Sequence, residues 1–221
     1  MYTISCESTV DLNLQHMNNR QIPTIAYTYT IDGQEYVDDM RSGNGLALFY
    51  NKLAAGKNSH TSLINVERYK DFFRPLLDKG DLLHVVFSSA LSNSVVNALN
   101  AAEQLREEYP DRKIYILDST CACVGLGMFA DCLADLRDSG KNIDEVYQWA
   151  LLNRGKVHHI FYSTTLTYFR RSGRVGAATA LVGNLLHICP VMNTDINGKI
   201  VPVARCMSEV NIHRHSRWLY L

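Results

Sequence analysis

Two short apolar runs, each followed by a segment with helical periodicity, constrain the fold more than any other feature of this sequence. The run "LLHVVF" spans residues 82–87, and the run "KIYILD" spans residues 113–118. Almost continuously apolar strands are typical of parallel sheets that helices cover on both faces. The pattern therefore predicts an α/β fold with a parallel-rich sheet, and it predicts that both runs lie in the interior of that sheet.

The rest of the chain continues this alternation of strands and helices. A turn at Asp32-Gly33 joins two strand-like runs and predicts a hairpin, and a second hairpin is predicted around Asn197-Gly198. The stretch "LLNRGKVHH" contains the predicted boundary between two α/β domains, residues 1–156 and 157–221. The remaining predicted elements are helices over 66–77, 92–108, 121–136, 143–153 and 178–186, and strands over 157–163 and 187–192.

Composition excludes several classes of protein. The formal net charge of the 221-residue chain is zero, which argues against a nucleic-acid-binding surface. No apolar run approaches the roughly 18 residues of a membrane span, and the start of the chain lacks the pattern of a signal peptide. The six cysteines are too sparse for a disulfide scaffold, so reduced thiols in a cytoplasmic protein are expected.

Motifs for nucleotide or metal binding are absent or incomplete. There is no Walker-type phosphate loop. The segment "GLGMFA" (125–130) fits a dinucleotide fingerprint in letters only, because its glycines lie inside a predicted helix and not in the turn after a strand. Close packing of that helix on the sheet is the favoured interpretation. The "CAC" of residues 121–123, even with Cys132, lacks the second ligand pair that structural zinc needs, so buried thiols are expected.

A serine hydrolase remains as an alternative function. The chain has eight histidines, and a histidine base could activate Ser92 or Ser119. There is no G-x-S-x-G elbow, and no motif pairs a histidine with either serine. A histidine in the middle of a strand, such as His84, is more typical of a core residue.

A cluster of serines follows the strand "LLHVVF". Ser92 stands at the expected N-cap of the next helix, and Ser88, Ser89 and Ser94 surround it. A helix N-terminus offers unpaired N–H groups and about half a positive charge, which suits a carboxylate or phosphate. Simple helix capping explains the same residues. The cluster alone leaves both interpretations open.

Five segments in the same order resemble the DegV family. "SSALSNSVVNA" is similar to the family's S-S-x-L-S-G-T-x-x-x-A. "ISCESTVDL" resembles T-D-S-T-x-D-L, "HTSLINVERYKDFF" resembles the T-S-Q-P-S segment, and "YILDST" resembles V-x-D-S. The segment from Ser163 to Met192 resembles L-x-x-L-x-x-G-G-R-I and the strand that follows it. The segments are spread in order across roughly two hundred residues, which makes the match far more specific than any single motif.

The resemblance implies two α/β domains with a fatty acid between them. It implies that the chain is not an enzyme by itself and needs no cofactor. In such proteins a separate ATP-binding fatty acid kinase subunit phosphorylates the bound acid, and the acyl phosphate feeds phospholipid synthesis. A bacterial, cytoplasmic carrier is therefore expected. The residues that the resemblance assigns to the fatty acid head group are Thr61, Ser62, Ser92, Asn93, Ser94 and Arg174.

The sequence departs from the family pattern at several positions. Cys6 and Glu7 replace the Thr-Asp of the first motif, and Asn93, which tolerates left-handed geometry, replaces a glycine. Arg174 keeps its place, where it could pair with a carboxylate or bond backbone carbonyls as a structural arginine. The second domain is short relative to the family, so exposed apolar surface and a homodimer are expected.

Overall fold

The computed structural model describes residues 1–163, 172–174 and 189–206. No helix within these ranges is long and apolar enough to cross a membrane. The strands are β1 (Tyr2–Glu7), β2 (Thr24–Ile25), β3 (Thr28–Ile31), β4 (Gln34–Val37), β5 (Ser59–Ser62), β6 (Asp81–Val86), β7 (Ile114–Asp118), β8 (Phe161–Tyr162), β9 (Cys189–Thr194) and β10 (Ile200–Cys206). The α-helices are α1 (Leu14–Asn19), α2 (Gly45–Ala54), α3 (Val66–Leu77), α4 (Ser94–Glu108), α5 (Cys123–Asp138) and α6 (Ile143–Asn153).

The central sheet is parallel, with the strand order β2-β1-β6-β7. The predicted interior position is confirmed for β6, which pairs with β1 and β7. It is wrong for β7, which is the last strand of this sheet within the described residues. The apolar run of β7 has another cause, since Ile116 faces one helical layer and Leu117 faces the other. A strand is apolar throughout when helices cover both of its faces, whether or not it has a neighbouring strand on each side.

Helices cover both faces of this sheet, so the α/β class predicted from the sequence is confirmed. On one face, α3 and α4 pack on alternate residues of β6 and β7, with Tyr69 and Phe73 fully buried. On the other face, α5 and α6 pack on the intervening residues, with Phe129 buried at the centre. Alternate side chains of a strand point to opposite faces, and each face therefore has its own core.

The strands β3, β4 and β5 follow β2 in the chain and form a small antiparallel sheet in the order β4-β3-β5. The hairpin predicted at Asp32-Gly33 joins β3 to β4, and both turn residues have a positive φ, 54° and 77°. Such a turn requires left-handed geometry at both positions, which explains the Asp-Gly pair. The helix α2, which the sequence did not predict, packs the ring of Phe49 edge-on against Tyr29 of β3.

The helix after the serine cluster begins later than predicted. The first residue of α4 is Ser94, and Asn93 occupies the cap position without making a side-chain cap bond. The φ of Asn93 is −81°, so the left-handed geometry that its residue type allows is not used here. Ser92 accepts a hydrogen bond from the N–H of Ser94 at 3.3 Å, as a residue just before the helix and not as its N-cap.

The glycines of "GLGMFA" serve close packing, but the contacts are not with the central sheet. A Cβ on Gly125 would lie 2.1 Å from Nε2 of His159, and a Cβ on Gly127 would lie 2.5 Å from the carbonyl oxygen of Val10. His159 accepts a hydrogen bond from the N–H of Ala122 at 3.1 Å, just before α5 begins. The two glycines therefore let other segments approach the first turns of α5.

The strands β8, β9 and β10 form a third, antiparallel sheet in the order β10-β9-β8. Of the strand predicted over 157–163, only Phe161–Tyr162 is a strand, and the helix predicted over 178–186 lies outside the described residues. The predicted hairpin joins β9 to β10, and Gly198 in its turn has a φ of 75°. Oγ of Ser88 donates to the carbonyl of Gly198 at 3.0 Å, so this hairpin contacts the loop that follows β6.

Candidate functional site

An open cavity of about 320 Å³ lies where β6 gives way to α4. This volume is at the lower end of the range for small-molecule sites. The cavity lies beyond the carboxyl end of a parallel strand, the usual place for a ligand in such sheets. Its lining residues are Leu63, Ser89, Ala90, Leu91, Ser92, Asn93, Ser172, Gly173 and Arg174.

The structure brings three of the six predicted head-group residues to the wall of this cavity. Ser92 and Asn93 come from the segment before α4, and Arg174 comes from a distant part of the chain. Ser94 is fully buried behind Ser92. Thr61 and Ser62 are exposed at the end of β5 and are not in the wall, although Leu63, the next residue, is.

Arg174 contacts backbone carbonyls on both sides of the cavity. Its Nε donates to the carbonyl oxygen of Leu91 at 3.4 Å, and Nη1 donates to the carbonyl oxygen of Ser172. This is the structural role that the sequence left open for Arg174. The same contacts hold the guanidinium beside Ser92, where its charge favours an anion in the cavity.

The hydroxyl of Ser92 belongs to a hydrogen-bond network that runs into the core. Oγ of Ser92 lies 2.9 Å from Oγ of Ser94, which is also bonded to the hydroxyl of Tyr27. Tyr27 belongs to the segment between β2 and β3, and its N–H donates to Oγ of Ser8 at 3.1 Å. The sequence predicted the serines but not the tyrosine, because the bond between Tyr27 and Ser94 joins residues 67 positions apart.

The network ends at Glu7, a carboxyl group with no solvent exposure. The hydroxyl of Tyr69 donates to Oε1 of Glu7, and the N–H of Phe87 donates to Oε2 at 2.8 Å. Burial raises the pKa of Glu7 to about 7, against the opposing effect of its hydrogen bonds to Tyr69, Phe87 and Tyr27. Glu7 is therefore poised to change its charge near neutral pH. An acid at the end of the buried strand β1 was the available signal for it.

Burial also keeps the two phenols protonated. The pKa of Tyr69 and the pKa of Tyr27 both lie above the ordinary value, with desolvation as the main cause and the charge of Glu7 as the next. Both hydroxyls therefore keep a proton to donate at any physiological pH.

Hydrogen bonds connect the end of β7 to the segment that lines the cavity. Oδ1 of Asp118 accepts from the N–H of Ser89 at 3.2 Å and from the N–H of Thr120 at 3.0 Å. One carboxylate thereby connects the segments that follow β6 and β7. Thr120 has a φ of 54°, an uncommon value that this local bonding stabilises.

The geometry does not support the hydrolase alternative. Oγ of Ser119 is buried and bonds within its own loop, to the N–H of Cys121 at 3.0 Å. Among the described residues, no hydrogen bond joins Ser92 or Ser119 to a histidine. Ser5 and His84 do form a pair, at 2.8 Å, but both are fully buried inside the central sheet, and desolvation lowers the pKa of His84 to about 3.

The cysteines of residues 121–132 are free thiols and differ in exposure. Cys121 is buried as predicted, whereas Cys123 is exposed and Cys132 is half-buried. Desolvation raises the pKa of all three thiols above the ordinary value, which leaves them protonated and weakly reactive.

Solved structures with the same fold include two fatty-acid-binding proteins. One is described as showing fatty acid binding of a DegV family protein from Thermus thermophilus (TM-score 0.84, 24% identity, 98% of this chain and 77% of that chain covered). The other is a fat acid (stearic acid)-binding protein from Eubacterium ventriosum (TM-score 0.84, 22% identity, 97% and 73% covered). At these identities the likeness shows the fold.

Relatives in sequence are closer. A DegV domain-containing protein of Clostridium perfringens is 34% identical over 200 residues, which are 90% of this chain and 69% of that protein. The family model described as "Uncharacterised protein, DegV family" matches residues 2–214. With nearly the whole length matched, and with the five motif segments in order, the chain belongs to the DegV family.

Proposed function

We propose that this chain binds a long-chain fatty acid, with the carboxylate in the cavity at Ser92. The observation that carries the proposal is the position of Ser92. Its hydroxyl lines a polar cavity at the start of α4 and is bonded to a buried network behind it. A hydroxyl at a helix N-terminus and a nearby guanidinium suit one carboxylate. The solved fatty-acid-binding relatives have the same fold.

The acyl chain supplies most of the binding energy in this proposal. Each buried methylene contributes about 0.8 kcal/mol, so a long chain gives a gross gain on the order of ten kcal/mol. Association and ordering offset much of that gain, and the head group mainly sets orientation. In this proposal the acyl chain lies between the two proposed domains, residues 1–156 and 157–221. Ser88 of the first contacts Gly198 of the second.

Thr61 and Ser62 are proposed to complete the head-group site. They end β5 directly before Leu63, which forms part of the cavity wall. The two residues are exposed, so their hydroxyls are open to a ligand that extends past Leu63. Asn93 lines the same wall and can donate an amide N–H to the carboxylate.

The second part of the proposal concerns what happens to the bound acid. We propose that the chain presents the carboxylate to a separate ATP-binding kinase subunit, which phosphorylates it, and that this takes place in a bacterial cytoplasm. The family resemblance supports this step, and the open mouth of the cavity at Ser92 leaves a carboxylate accessible to a partner. A homodimer is expected on a different ground, exposed apolar surface, and stays a prediction.

Lipid extraction followed by mass spectrometry, together with calorimetric titration of laurate, tests the binding. We expect co-purified fatty acid in the wild type. Ser92→Ala should weaken laurate binding by about 1–3 kcal/mol, because it removes a partner of a charged group. The matched control is Ser139→Ala, since Ser139 is an exposed serine whose hydroxyl bonds to Leu136 at the end of α5.

Three outcomes would contradict the proposal. Absence of any bound or titratable fatty acid removes the binding function. Wild-type affinity in Ser92→Ala moves the head group elsewhere. Ester hydrolysis that Ser92→Ala abolishes would replace the carrier with the hydrolase.

A further inference from the structure

We propose that Glu7 controls the direction in which the Ser92 hydroxyl donates, and that a carboxylate binding at Ser92 makes Glu7 take up a proton from solvent. The link runs through Ser94, Tyr27 and Tyr69. This inference rests on the proposed function, because it takes the head group to be a carboxylate at Ser92. It adds a positioning residue, buried and remote from the cavity, that makes binding depend on pH.

The connection consists of hydroxyl groups in contact. Ser92, in the cavity wall, lies 2.9 Å from the Ser94 hydroxyl, and Ser94 is bonded to the Tyr27 hydroxyl. Tyr69 donates to Oε1 of Glu7. The Tyr27 hydroxyl also interacts with the Glu7 carboxyl and contributes to its pKa. Each hydroxyl has one proton, so the donor direction at one end constrains the direction at the other.

An ionised Glu7 turns the donors away from the cavity. The carboxylate accepts from both phenols, which leaves the Tyr27 oxygen as an acceptor for Ser94. Ser94 then accepts from Ser92. The proton of Ser92 therefore points inward, and its lone pairs face the cavity, where they repel an anionic head group.

A protonated Glu7 reverses the order. The carboxyl group can donate to Tyr27, Tyr27 donates to Ser94, and Ser94 donates to Ser92. The Ser92 hydroxyl is then free to donate to the ligand carboxylate, which keeps its own negative charge. The proton on Glu7 comes from solvent, so one proton is bound for each ligand bound. The direct repulsion between two carboxylates favours the same state.

Within the part of the chain that the structure describes, the surroundings of Glu7 contain no cation that would hold it ionised. On its own face of the sheet, His84 of β6 is neutral, since desolvation lowers its pKa to about 3. Asp118, at the end of β7, is occupied by two backbone N–H groups. The Arg68 guanidinium of α3 is directed to a backbone group, since it donates to the carbonyl of Ala26 at 2.7 Å.

Among the described residues, the hydrogen-bond partners of Glu7 are two hydroxyl groups and one backbone N–H. These are the phenols of Tyr69 on α3 and Tyr27 before β3, and the N–H of Phe87. The neighbouring thiol of Cys6 lies on the opposite face, and its pKa is well above the ordinary value, with desolvation as the main cause and the charge of Glu7 as the next. Glu7, with a pKa of about 7, is therefore the group of this cluster that changes charge near neutral pH.

Calorimetric titration of the delipidated full chain tests the inference with two probes. Laurate has a titratable head group, whereas dodecanesulfonate, used below its micelle concentration, is anionic at every pH of the experiment. For the wild type, we expect the affinity for both probes to fall about tenfold between about pH 6 and about pH 8. Near pH ~8, titrations in two buffers of different ionisation enthalpy should give an uptake of about one proton per ligand.

Two variants test the connection. Glu7→Gln should bind both probes with an affinity that varies less than about twofold over this pH range, because no proton is linked to binding. Tyr27→Phe keeps Glu7 but removes one of its two links to Ser94, the other being Tyr69, so the proton uptake should fall below the wild-type value. Tyr115→Phe is the matched control. Its hydroxyl also donates to a carboxylate, Asp144 at 2.7 Å, outside the network, and its pH profile should match the wild type.

The outcomes separate the inference from the proposed function. If neither probe binds at any pH, both fail. If laurate binds without proton uptake, or if the uptake persists in Glu7→Gln, the inference is overturned while fatty acid binding stands. A pH dependence seen with laurate but not with dodecanesulfonate would assign the proton to the ligand and overturn it as well. If Glu7→Gln does not fold, unchanged proton uptake in Tyr27→Phe overturns the inference in its place.

Discussion

The two faces of the central sheet differ in chemistry although the same strands form them. The face under α5 and α6 receives Ile4, Cys6, Leu83 and Val85 from β1 and β6, and all four are fully buried. The face under α3 and α4 receives the alternate residues of the same strands. There, Ser5, Glu7 and His84 are equally buried.

The difference identifies the face on which buried polar groups lower stability and lie close to the proposed site. Burying a carboxyl or an imidazole costs free energy unless partners compensate, and apolar residues at these positions would avoid that cost. The polar groups lie on the face whose helix α4 begins at the cavity, and Glu7 connects to the cavity through hydroxyl groups. The residues that β1 and β6 place on the opposite face are apolar and make no such connection. We infer that one face serves as core and that the other also serves the site.

The largest expected effect is on the apolar face. Phe129→Ala removes a buried ring that packs beside Trp149, with centroids 6.3 Å apart, and should lower the free energy of unfolding by about 3–5 kcal/mol. Urea denaturation measures the loss. The loss should be the same at every pH, because no titrating group of the other face is touched. A pH-dependent loss would mean that the apolar face is energetically coupled to the titrating groups of the other face.

The second effect concerns His84. Its folded pKa, about 3, lies below its ordinary value of 6.5, so the unfolded chain binds the proton more readily. The contribution to stability is therefore present above about pH 6.5 and is lost as the pH falls toward about 3, by about 4 kcal/mol in total. His84→Phe keeps a ring within the aromatic cluster and should remove this acid-side loss in denaturation curves measured across pH. If the variant loses as much stability at acid pH as the wild type, His84 is not the responsible group.

Much of the fold could be predicted because its signals are local. The bounds of α6 follow from its periodicity and from the capping pair Asn142 and Glu145, all within a dozen residues. The Asp32-Gly33 hairpin is equally local. The position of β7 was predicted wrongly because strand order depends on how the whole chain packs, and the sequence of a strand reports only the cover on its faces.

The site was predictable in part, for a related reason. The motif resemblance pointed to Ser92, Asn93 and Arg174, which lie together in the cavity wall. The start of α4 was misjudged because Ser94 bonds to Tyr27, a tertiary contact that capping preferences do not include. The bond between Tyr69 and Glu7 joins residues 62 positions apart, and no short pattern indicates it.

The third effect has the opposite sign to that of His84. The folded pKa of Glu7, about 7, lies above its ordinary value of 4.5, so the folded chain binds the proton more readily. The contribution of Glu7 to stability is therefore largest below about pH 4.5 and falls by about 3 kcal/mol as the pH rises through about 7. Glu7→Gln should remove this alkaline-side loss in the same denaturation series. A decline that persists in the variant would locate the titrating group elsewhere.

The two titrations oppose each other between about pH 4.5 and about pH 6.5, so the wild type should show a shallow optimum there. Each single variant should uncover one slope, with His84→Phe declining and Glu7→Gln rising with pH. Both slopes arise from the face under α3 and α4, so the pH dependence of stability is expected to belong to that face.

The smallest expected effect is that of Ser5→Ala. Oγ of Ser5 lies 2.8 Å from Nδ1 of His84, and Nε2 of His84 has no partner among the described residues. The variant would leave both ring nitrogens of a buried histidine without a hydrogen bond, at a cost of about 1 kcal/mol to the free energy of unfolding. The exposed Ser139→Ala is the control, with a smaller loss expected. Chemical denaturation near pH ~7 compares the two. Equal losses would mean that the Ser5 hydroxyl adds nothing beyond an ordinary surface serine, and that the polar face tolerates an unpaired imidazole without compensation.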